Sequence, residues 1–207
     1  MTQPGATPVE RATVHLVRHG EVENPKGIVY GRLPGYNLSE RGLLEAAGAA
    51  QRLRAQPVGG IWASPLERAQ ETAAVIAEPH GLEVVTDDRL IESDTTLEGI
   101  TRSLLGLLRS PRHWWSFRNP VRPSWGETFS EIRARMVSAI DDAVRGSEGK
   151  DVVIVSHQTP VLVARLALGR RRVPPWLGFA PCETGSVTTL VLDGDRVASA
   201  SYFRPLV

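Results

Sequence analysis

Three separate stretches of the chain place an arginine or a histidine close behind an apolar run. Arg18 and His19 end the run in "VHLVRHGEVENP", His157 ends "KDVVIVSH", and Arg68 lies just beyond "GGIWAS". Guanidinium groups bind phosphate through paired hydrogen bonds, and a histidine nitrogen can act as a nucleophile that forms a covalent intermediate. Phosphoryl transfer needs its equatorial oxygens neutralised and its nucleophile held in line. Two arginines and two histidines therefore predict a pocket for a phosphate dianion.

Transfer of a phosphoryl group from an alcohol also requires an acid that protonates the leaving oxygen. Glu92 follows the apolar run in "LEVVTD" by a few residues and is the first candidate for this acid, with Glu21 and Glu98 as alternatives. Gly20, directly after His19, permits a tight turn that a side chain would obstruct.

These residues meet only if the apolar runs form one sheet. Strands are predicted at 12–18, 59–64, 82–87 and 150–157, with a final hairpin over 186–194 and 196–203 around Gly194; helices are predicted at 39–56, 64–78, 128–146 and 159–169. Alternating strands and helices are typical of an α/β fold, here a three-layer α/β/α sandwich with a mainly parallel central sheet. Ligands of such sheets lie at the carboxyl ends of the strands.

Capping residues mark the helix ends. The predicted N-caps are Ser39, Ser64 (with Pro65 and Glu67), Thr128 (with Glu131) and Thr159 (with Pro160), and the predicted C-cap is Gly146. Helices that begin near 65 and 160 would direct backbone N–H groups at a bound anion.

The chain is predicted to hold one catalytic domain over 13–207 behind a flexible polar tail at 1–12. An insertion over about 93–130 contains "RSPRHWWSFRNPVRPSWG", which has no clear period. Its Trp114 and Trp115 are candidate specificity residues that could form a hydrophobic wall for the organic part of a substrate; packing is the alternative. Arginines within the same stretch either reach a second anionic group or keep the loop solvated.

Composition excludes several classes of protein. A net charge of +1 argues against a nucleic-acid binder. No apolar run is long enough to cross a bilayer, and the first residues do not form a signal peptide, so the cytoplasm is the expected compartment. A single cysteine, Cys182, allows no internal disulfide. His15 and His19 lack a third ligand at a recognisable spacing, so no metal site is expected, and no P-loop indicates ATP binding.

Five blocks in order, "LVRHGE", "GRLPGYNLSERG", "ASPLERAQETA", "RLIES" and "VSHQTP", resemble the histidine phosphatase superfamily, also called phosphoglycerate mutase-like. The resemblance spans residue 13 to about 200 and implies the fold of that family, without metal or other cofactor. It implies that His19 is the phosphorylated nucleophile, that Arg18, Arg68 and His157 bind the phosphoryl group, and that Glu92 donates the proton.

Two positions depart from the family pattern. Asn24 lies one residue earlier than the asparagine that often follows the first block, and it is retained as a candidate phosphate-binding residue. Gln158 replaces the glycine that usually follows the second histidine, which makes it a candidate specificity residue.

The function expected from these residues is metal-independent hydrolysis of a phosphomonoester, with a small phosphorylated metabolite as substrate. A phosphoglycerate mutase is the first alternative, but mutases of the family carry a longer insertion between the acid and the second histidine, and only 64 residues lie between Glu92 and His157 here. A binding module for phosphorylated ligands is the second alternative; it would have lost the nucleophile or an arginine. The oligomeric state is left open, with a dimer as one option.

Overall fold

One sheet of six strands forms the centre of the structure, a computed structural model that describes residues 11–101, 126–171, 180–194 and 196–207. The strands are β1 (Arg11–Arg18), β2 (Val58–Ala63), β3 (Val84–Thr86), β4 (Asp151–Ser156), β5 (Val187–Asp193) and β6 (Arg196–Phe203). Their order is β3-β2-β4-β1-β5-β6; the first four are parallel to one another, β5 pairs antiparallel with β1, and β6 pairs antiparallel with β5. The predicted mainly parallel sheet and its closing hairpin are confirmed.

Helices cover both faces of this sheet. They are α1 (Glu40–Leu53), α2 (Glu67–Ala77), α3 (Phe129–Gly146) and α4 (Gln158–Leu168), with short 3₁₀ turns at Glu78–His80 and Asp88–Leu90. Buried side chains of α1 and α2 share one apolar cluster with the sheet, and those of α3 and α4 share the other. The predicted three-layer α/β/α sandwich is therefore confirmed.

The central strand β4 shows why the sheet needs helices on both sides. Val152 and Ile154 belong to the cluster under α3 and α4, whereas Val153 and Val155 belong to the cluster under α1 and α2. All four side chains are fully buried. Side chains alternate between the faces of a strand, so an uninterrupted apolar run is stable only when both faces are covered.

Two of the predicted helix starts are confirmed. The Ser39 hydroxyl accepts a hydrogen bond from the backbone N–H of Gly42 and caps α1. Thr128 and Glu131 form a reciprocal capping box at the start of α3. Both devices satisfy backbone donors that the first turn of a helix leaves unpaired.

Three predicted caps are wrong, each by one or two residues. Helix α2 begins at Glu67 with Leu66 as its N-cap, and the Ser64 hydroxyl bonds to His157 and to the Leu66 N–H group. Helix α4 begins at Gln158, two residues after the end of β4, so His157 rather than Thr159 is its N-cap. Helix α3 includes Gly146 and is capped by the following serine.

The predicted tail and insertion meet the described fold at their edges. The tail predicted at 1–12 is two residues too long, because Arg11 and Ala12 belong to β1 and pair with β5. Residues 93–101 and 126–130 of the insertion are described, and an isolated bridge joins Thr95 to Gly126 while another joins Ile28 to Thr101. Among the described helices, none has the length and apolarity needed to cross a bilayer.

Candidate active site

The carboxyl ends of β1, β2 and β4 meet at one edge of the sheet. Arg18 is the register partner of Ser156, and the backbone N–H of His19 donates to the Ser156 carbonyl over 3.0 Å. His157 follows immediately, and the rings of His19 and His157 lie 5.0 Å apart between centroids at an interplanar angle of 61°. The sheet thus brings the two predicted histidines into contact.

His19 is buried, and its two ring nitrogens have different partners. Nδ1 lies 2.7 Å from the carbonyl oxygen of Gly20, which can only accept, so Nδ1 carries the proton. Nε2 lies 3.3 Å from Nε of Arg68, which can only donate, so Nε2 holds the lone pair. Burial and the positive charges of Arg68 and Arg18 hold the pKa of His19 well below 6.5. The ring is therefore neutral near pH 7, with Nε2 as a free base.

Gly20 is required by close approach of two backbones. A Cβ atom at this position would lie 2.4 Å from the carbonyl oxygen of Gly42 in α1. The N–H group of Gly20 donates to the hydroxyl of Thr72 in α2 over 3.1 Å. The glycine lets the loop settle between two helices and so places the carbonyl that orients His19.

Arg68 stands in the first turn of α2 and is fully buried. Besides His19 it contacts the carbonyl oxygen of Gly31, to which Nη2 donates over 2.7 Å, and its guanidinium lies 4.8 Å from the ring centroid of Tyr30. The guanidinium of Arg68 is thus held at one edge by the Gly31 carbonyl and on one face by the Tyr30 ring. Its remaining nitrogen, Nη1, has no partner within the described protein.

Arg18 is the last residue of β1 and directly precedes His19. Its Nη1 donates to the carbonyl oxygen of Cys182 over 2.6 Å, and its buried Nε has no partner within the described residues. The Cys182 side chain itself is buried, and burial raises the pKa of its thiol to about 11, so it stays protonated. Cys182 contributes a backbone acceptor here.

His157 is oriented by Ser64, the residue that follows β2. Nε2 of the ring lies 2.7 Å from the Ser64 hydroxyl, and both residues are fully buried. Burial, followed by the charges of His19 and the neighbouring arginines, holds the pKa of His157 well below 6.5. Its Nδ1 atom has no partner among the described residues.

Three buried polar atoms of these residues share this lack of a protein partner: Arg18 Nε, Arg68 Nη1 and His157 Nδ1. Buried polar atoms are nearly always hydrogen-bonded in folded proteins. Each of these atoms belongs to a residue next to His19 or electrostatically coupled to it. The arrangement suits a ligand with several acceptor oxygens, and a phosphoryl group has that chemistry.

Glu92 reaches the same edge by way of the 3₁₀ turn at Asp88–Leu90. Its Oε1 atom accepts from both the backbone N–H and the hydroxyl of Ser93, at 2.8 and 3.2 Å. Burial raises the pKa of this carboxyl, while the Ser93 bonds and the charges of Arg68 and Arg18 partly oppose that rise. Glu92 therefore lies within electrostatic reach of both arginines, in surroundings that favour its protonated form.

The two alternative acids have other partners. Glu21 is about half exposed, with a side-chain exposure of 44%, and accepts from the Ser39 hydroxyl. Glu98 accepts from the backbone N–H of Arg32. Glu92 is coupled electrostatically to Arg68 and Arg18, the arginines next to His19, so it remains the best candidate for the acid.

Four candidate residues remain: Asn24, Gln158, Trp114 and Trp115. Both polar atoms of the Asn24 side chain bond to the backbone of Ile28, so its amide closes a loop. Gln158 is the half-buried first residue of α4, next to His157. Trp114 and Trp115 lie outside the described residues. In the described part of the chain, no group of three or more potential metal ligands occurs.

His15 lies within β1, four residues before His19. Its Nδ1 atom bonds to the Thr189 hydroxyl at 2.9 Å and its Nε2 atom to the Asp151 carboxylate at 3.1 Å. The ring is 2% exposed. His15 is thus a core residue whose two ring nitrogens both have hydrogen-bond partners.

Three contributors to the site were not predicted from the sequence. The sequence pattern predicts Ser64 as a helix cap and Thr72 as part of a helix, and it gives Tyr30 no role. Ser64 alone carried a usable signal, because it directly follows a predicted strand and so belongs to the ligand-binding edge.

Comparison with known proteins agrees with this geometry. The family model "Histidine phosphatase superfamily (branch 1)" matches residues 14–204. Protein Rv0525 of Mycobacterium tuberculosis is 50% identical over 198 residues, covering 95% of this chain and 98% of that protein. Phosphoserine phosphatase 1 of Hydrogenobacter thermophilus is 34% identical over 188 residues, covering 87% of each chain.

Two further matches are named as a mutase and as a phosphatase. A probable phosphoglycerate mutase, GpmB of Yersinia enterocolitica, is 36% identical over 150 residues, covering 70% of this chain and 68% of that protein. Among solved structures, the mycobacterial glucosyl-3-phosphoglycerate phosphatase Rv2419c superposes with a TM-score of 0.73 at 25% identity, covering 94% of this chain and 97% of that one. The chain belongs to branch 1 of the histidine phosphatase superfamily.

Proposed function

We propose that this protein is a metal-independent phosphomonoester hydrolase in which His19 carries the phosphoryl group. The observation that supports this most directly is the state of the His19 ring. Its Nε2 atom is unprotonated and accepts from Nε of Arg68, and it lies beside buried arginine and histidine atoms that have no partner in the described protein. A neutral nucleophile surrounded by unpaired donors is what attack on a phosphate dianion requires.

The first chemical step transfers the phosphoryl group to the enzyme. Nε2 of His19 attacks phosphorus, a P–N bond forms, and the bond from phosphorus to the ester oxygen breaks. Arg18, Arg68 and His157 hold the non-bridging oxygens, whose charge the guanidiniums neutralise. Glu92, whose carboxyl pKa is raised by burial, gives its proton to the departing oxygen.

The second step returns the enzyme to its starting state. The Glu92 carboxylate accepts a proton from a water molecule as the water oxygen attacks phosphorus. The P–N bond breaks, inorganic phosphate leaves, and Nε2 of His19 regains its lone pair. Acid and base are thus one carboxyl group acting in opposite directions.

Hydrolysis is preferred to mutase activity for two reasons. The segment between Glu92 and His157 is short, with 64 residues, and a shorter cover over phosphohistidine favours access of water. Two of the relatives described above are named as phosphatases. The similarity to the probable phosphoglycerate mutase keeps phosphotransfer between phosphoglycerates as the second candidate.

We propose a small phosphorylated metabolite as substrate and the cytoplasm as the site of action. Phosphoserine and a glycosylated phosphoglycerate, which the names of two relatives suggest, are the first compounds to test. No cofactor enters the proposed reaction, because every proton and bond in it is assigned to the chain, the substrate or water.

The test is phosphate release from a panel of phosphomonoesters in the presence of EDTA, with His19→Ala as the control. The panel includes phosphoserine, sugar phosphates and both phosphoglycerates, and the latter are also assayed for interconversion. We expect release by the wild type only, together with acid-labile ³²P incorporated from labelled substrate. Interconversion without release would establish the mutase instead, and release by His19→Ala would overturn the assignment of the nucleophile.

A further inference from the structure

The segment that carries Glu92 is held by side chains of other elements. From Arg89 in the 3₁₀ turn to Glu92, three backbone carbonyls accept hydrogen bonds from side chains distant in sequence. Arg135 donates to the Arg89 carbonyl over 2.6 Å, Ser156 to the Leu90 carbonyl over 2.7 Å, and Arg32 to the Glu92 carbonyl over 2.8 Å. Because the segment is not part of a strand, these bonds determine where its backbone lies.

One carboxylate joins two of these three donors. Glu127 accepts from Nε and Nη2 of Arg135 at 2.6 and 2.9 Å, in the bidentate geometry, and from Nη2 of Arg32 at 3.2 Å. Arg135 belongs to α3, and Arg32 to the loop between β1 and α1. Glu127 and Arg135 each retain only 15% side-chain exposure, and Arg32 retains 33%. Limited exposure strengthens such charge-assisted bonds relative to a surface ion pair.

From this network we infer that Glu127 is a positioning residue for the proton donor. Glu127, Arg32 and Arg135, here called the Glu127 clamp, fix the carbonyls of Arg89 and Glu92 at the two ends of the segment. This inference rests on the proposed function, in which Glu92 protonates the leaving group. Glu127 does not touch the phosphoryl site; it acts through the backbone that carries Glu92.

The Glu127 clamp also neutralises two positive charges near the site, those of Arg135 and Arg32. Arg135 is one of the cations that lower the pKa of His157, so it lies within electrostatic reach of the site. Glu127 neutralises Arg135 and Arg32 together. Without that carboxylate, two guanidiniums would be free to rearrange toward Glu92 and stabilise its anion, which cannot donate a proton. Loss of the clamp is therefore expected to impair proton donation in particular.

The experiment compares ester substrates that differ in their need for a proton. An alkyl phosphate needs protonation of its leaving oxygen, whereas 2,4-dinitrophenyl phosphate releases a stable phenolate without it. For Glu127→Gln we expect kcat/KM to fall roughly 10- to 50-fold with the alkyl phosphate, a part of the effect of a whole general acid, and less than about 3-fold with the dinitrophenyl ester. Asp151→Asn, which removes another largely buried carboxylate, paired with His15 at the amino end of β4, is the matched control and should change neither value.

The double variant Glu92→Gln/Glu127→Gln separates positioning from a general loss of structure. If Glu127 acts through Glu92, the double variant is no slower with the alkyl phosphate than Glu92→Gln alone. Additive losses, or an equal fall with both esters, would overturn the inference. Should Glu127→Gln fail to fold, Arg32→Lys tests the same point, because lysine has no Nε–H group to hold the Glu92 carbonyl.

Failure of the inference differs from failure of the proposed function. If Glu92→Gln slows both esters equally, Glu92 is not the proton donor, and the proposed mechanism is wrong at that residue. If Glu92→Gln is selective for the alkyl phosphate but Glu127→Gln and Arg32→Lys are not, the mechanism stands and the positioning role is wrong.

Discussion

The Nε–H group of Arg68 donates to Nε2 of His19 across 3.3 Å, so an arginine holds the nitrogen that would attack phosphorus. The bond keeps a proton off that nitrogen, because two donors cannot share it. It also orients the guanidinium, whose Nη1 atom remains without a partner in the described protein. One side chain therefore contacts the His19 nitrogen and, in the proposed mechanism, presents a donor to the substrate.

Arg68→Lys is expected to lower kcat/KM about 100-fold. Lysine keeps the positive charge but not the planar fork that reaches His19, the Gly31 carbonyl and a phosphoryl oxygen together, and losing one or two charge-assisted bonds corresponds to about 3 kcal/mol. Steady-state assays with the best ester of the panel give the value. A loss below about 5-fold would show that charge alone suffices.

Ser64→Ala is expected to reduce kcat/KM roughly 10-fold, because His157 loses its 2.7 Å partner and with it a fixed ring orientation. The matched control is Ser147→Ala, which removes another buried hydroxyl, bonded to the carbonyls of Val144 and Lys150 outside the site. Both variants should lose similar stability in urea titrations. Only Ser64→Ala should lose activity, and equal activities would refute the orienting role.

The residues that follow apolar runs could be located from the sequence because parallel strands share one edge. Arg18, His19 and His157 belong to this class, and the position of Arg68 in the first turn after β2 follows from the same rule. The alternation of strands and helices fixed the layers for a related reason: an apolar run such as β4 must be covered twice.

The contacts between loops could not be predicted in this way. The bond from Arg32 to the Glu92 carbonyl joins two irregular segments that no hydrophobic period describes. Ser64 satisfied the local pattern for a helix cap, but its hydroxyl bonds to His157 instead. Local patterns report which backbone groups need partners, whereas the fold decides which distant side chains supply them.

Gly20→Ala is expected to destabilise the protein by about 1–3 kcal/mol and to lower activity, since its Cβ would meet the Gly42 carbonyl oxygen at 2.4 Å. Neither backbone can move without displacing the carbonyl that orients His19. Gly146→Ala is the control: its Cβ would lie 3.6 Å from Trp62, an ordinary contact, at the end of α3. Urea unfolding should show that variant as unchanged or slightly more stable.

The fourth prediction concerns pH. In the proposed mechanism, protonated Glu92 is the active form in transfer to His19, and burial raises its pKa above the ordinary value of 4.5. His19 must be neutral, and its pKa lies well below 6.5. The rate of transfer therefore falls as pH rises through the pKa of Glu92, because the carboxyl loses the proton it should donate. On the acid side, protonation of His19 reduces the rate only well below pH 6.5.

The ratio of kcat/KM for wild type to that for Glu92→Gln isolates the carboxyl, since ionisation of the substrate and of His19 affects both enzymes alike. With an alkyl phosphate, the ratio should be largest at low pH and fall up to about tenfold per pH unit above the Glu92 pKa. With 2,4-dinitrophenyl phosphate it should stay near one, because no proton is needed. A ratio independent of pH for both esters would mean that another group is the acid.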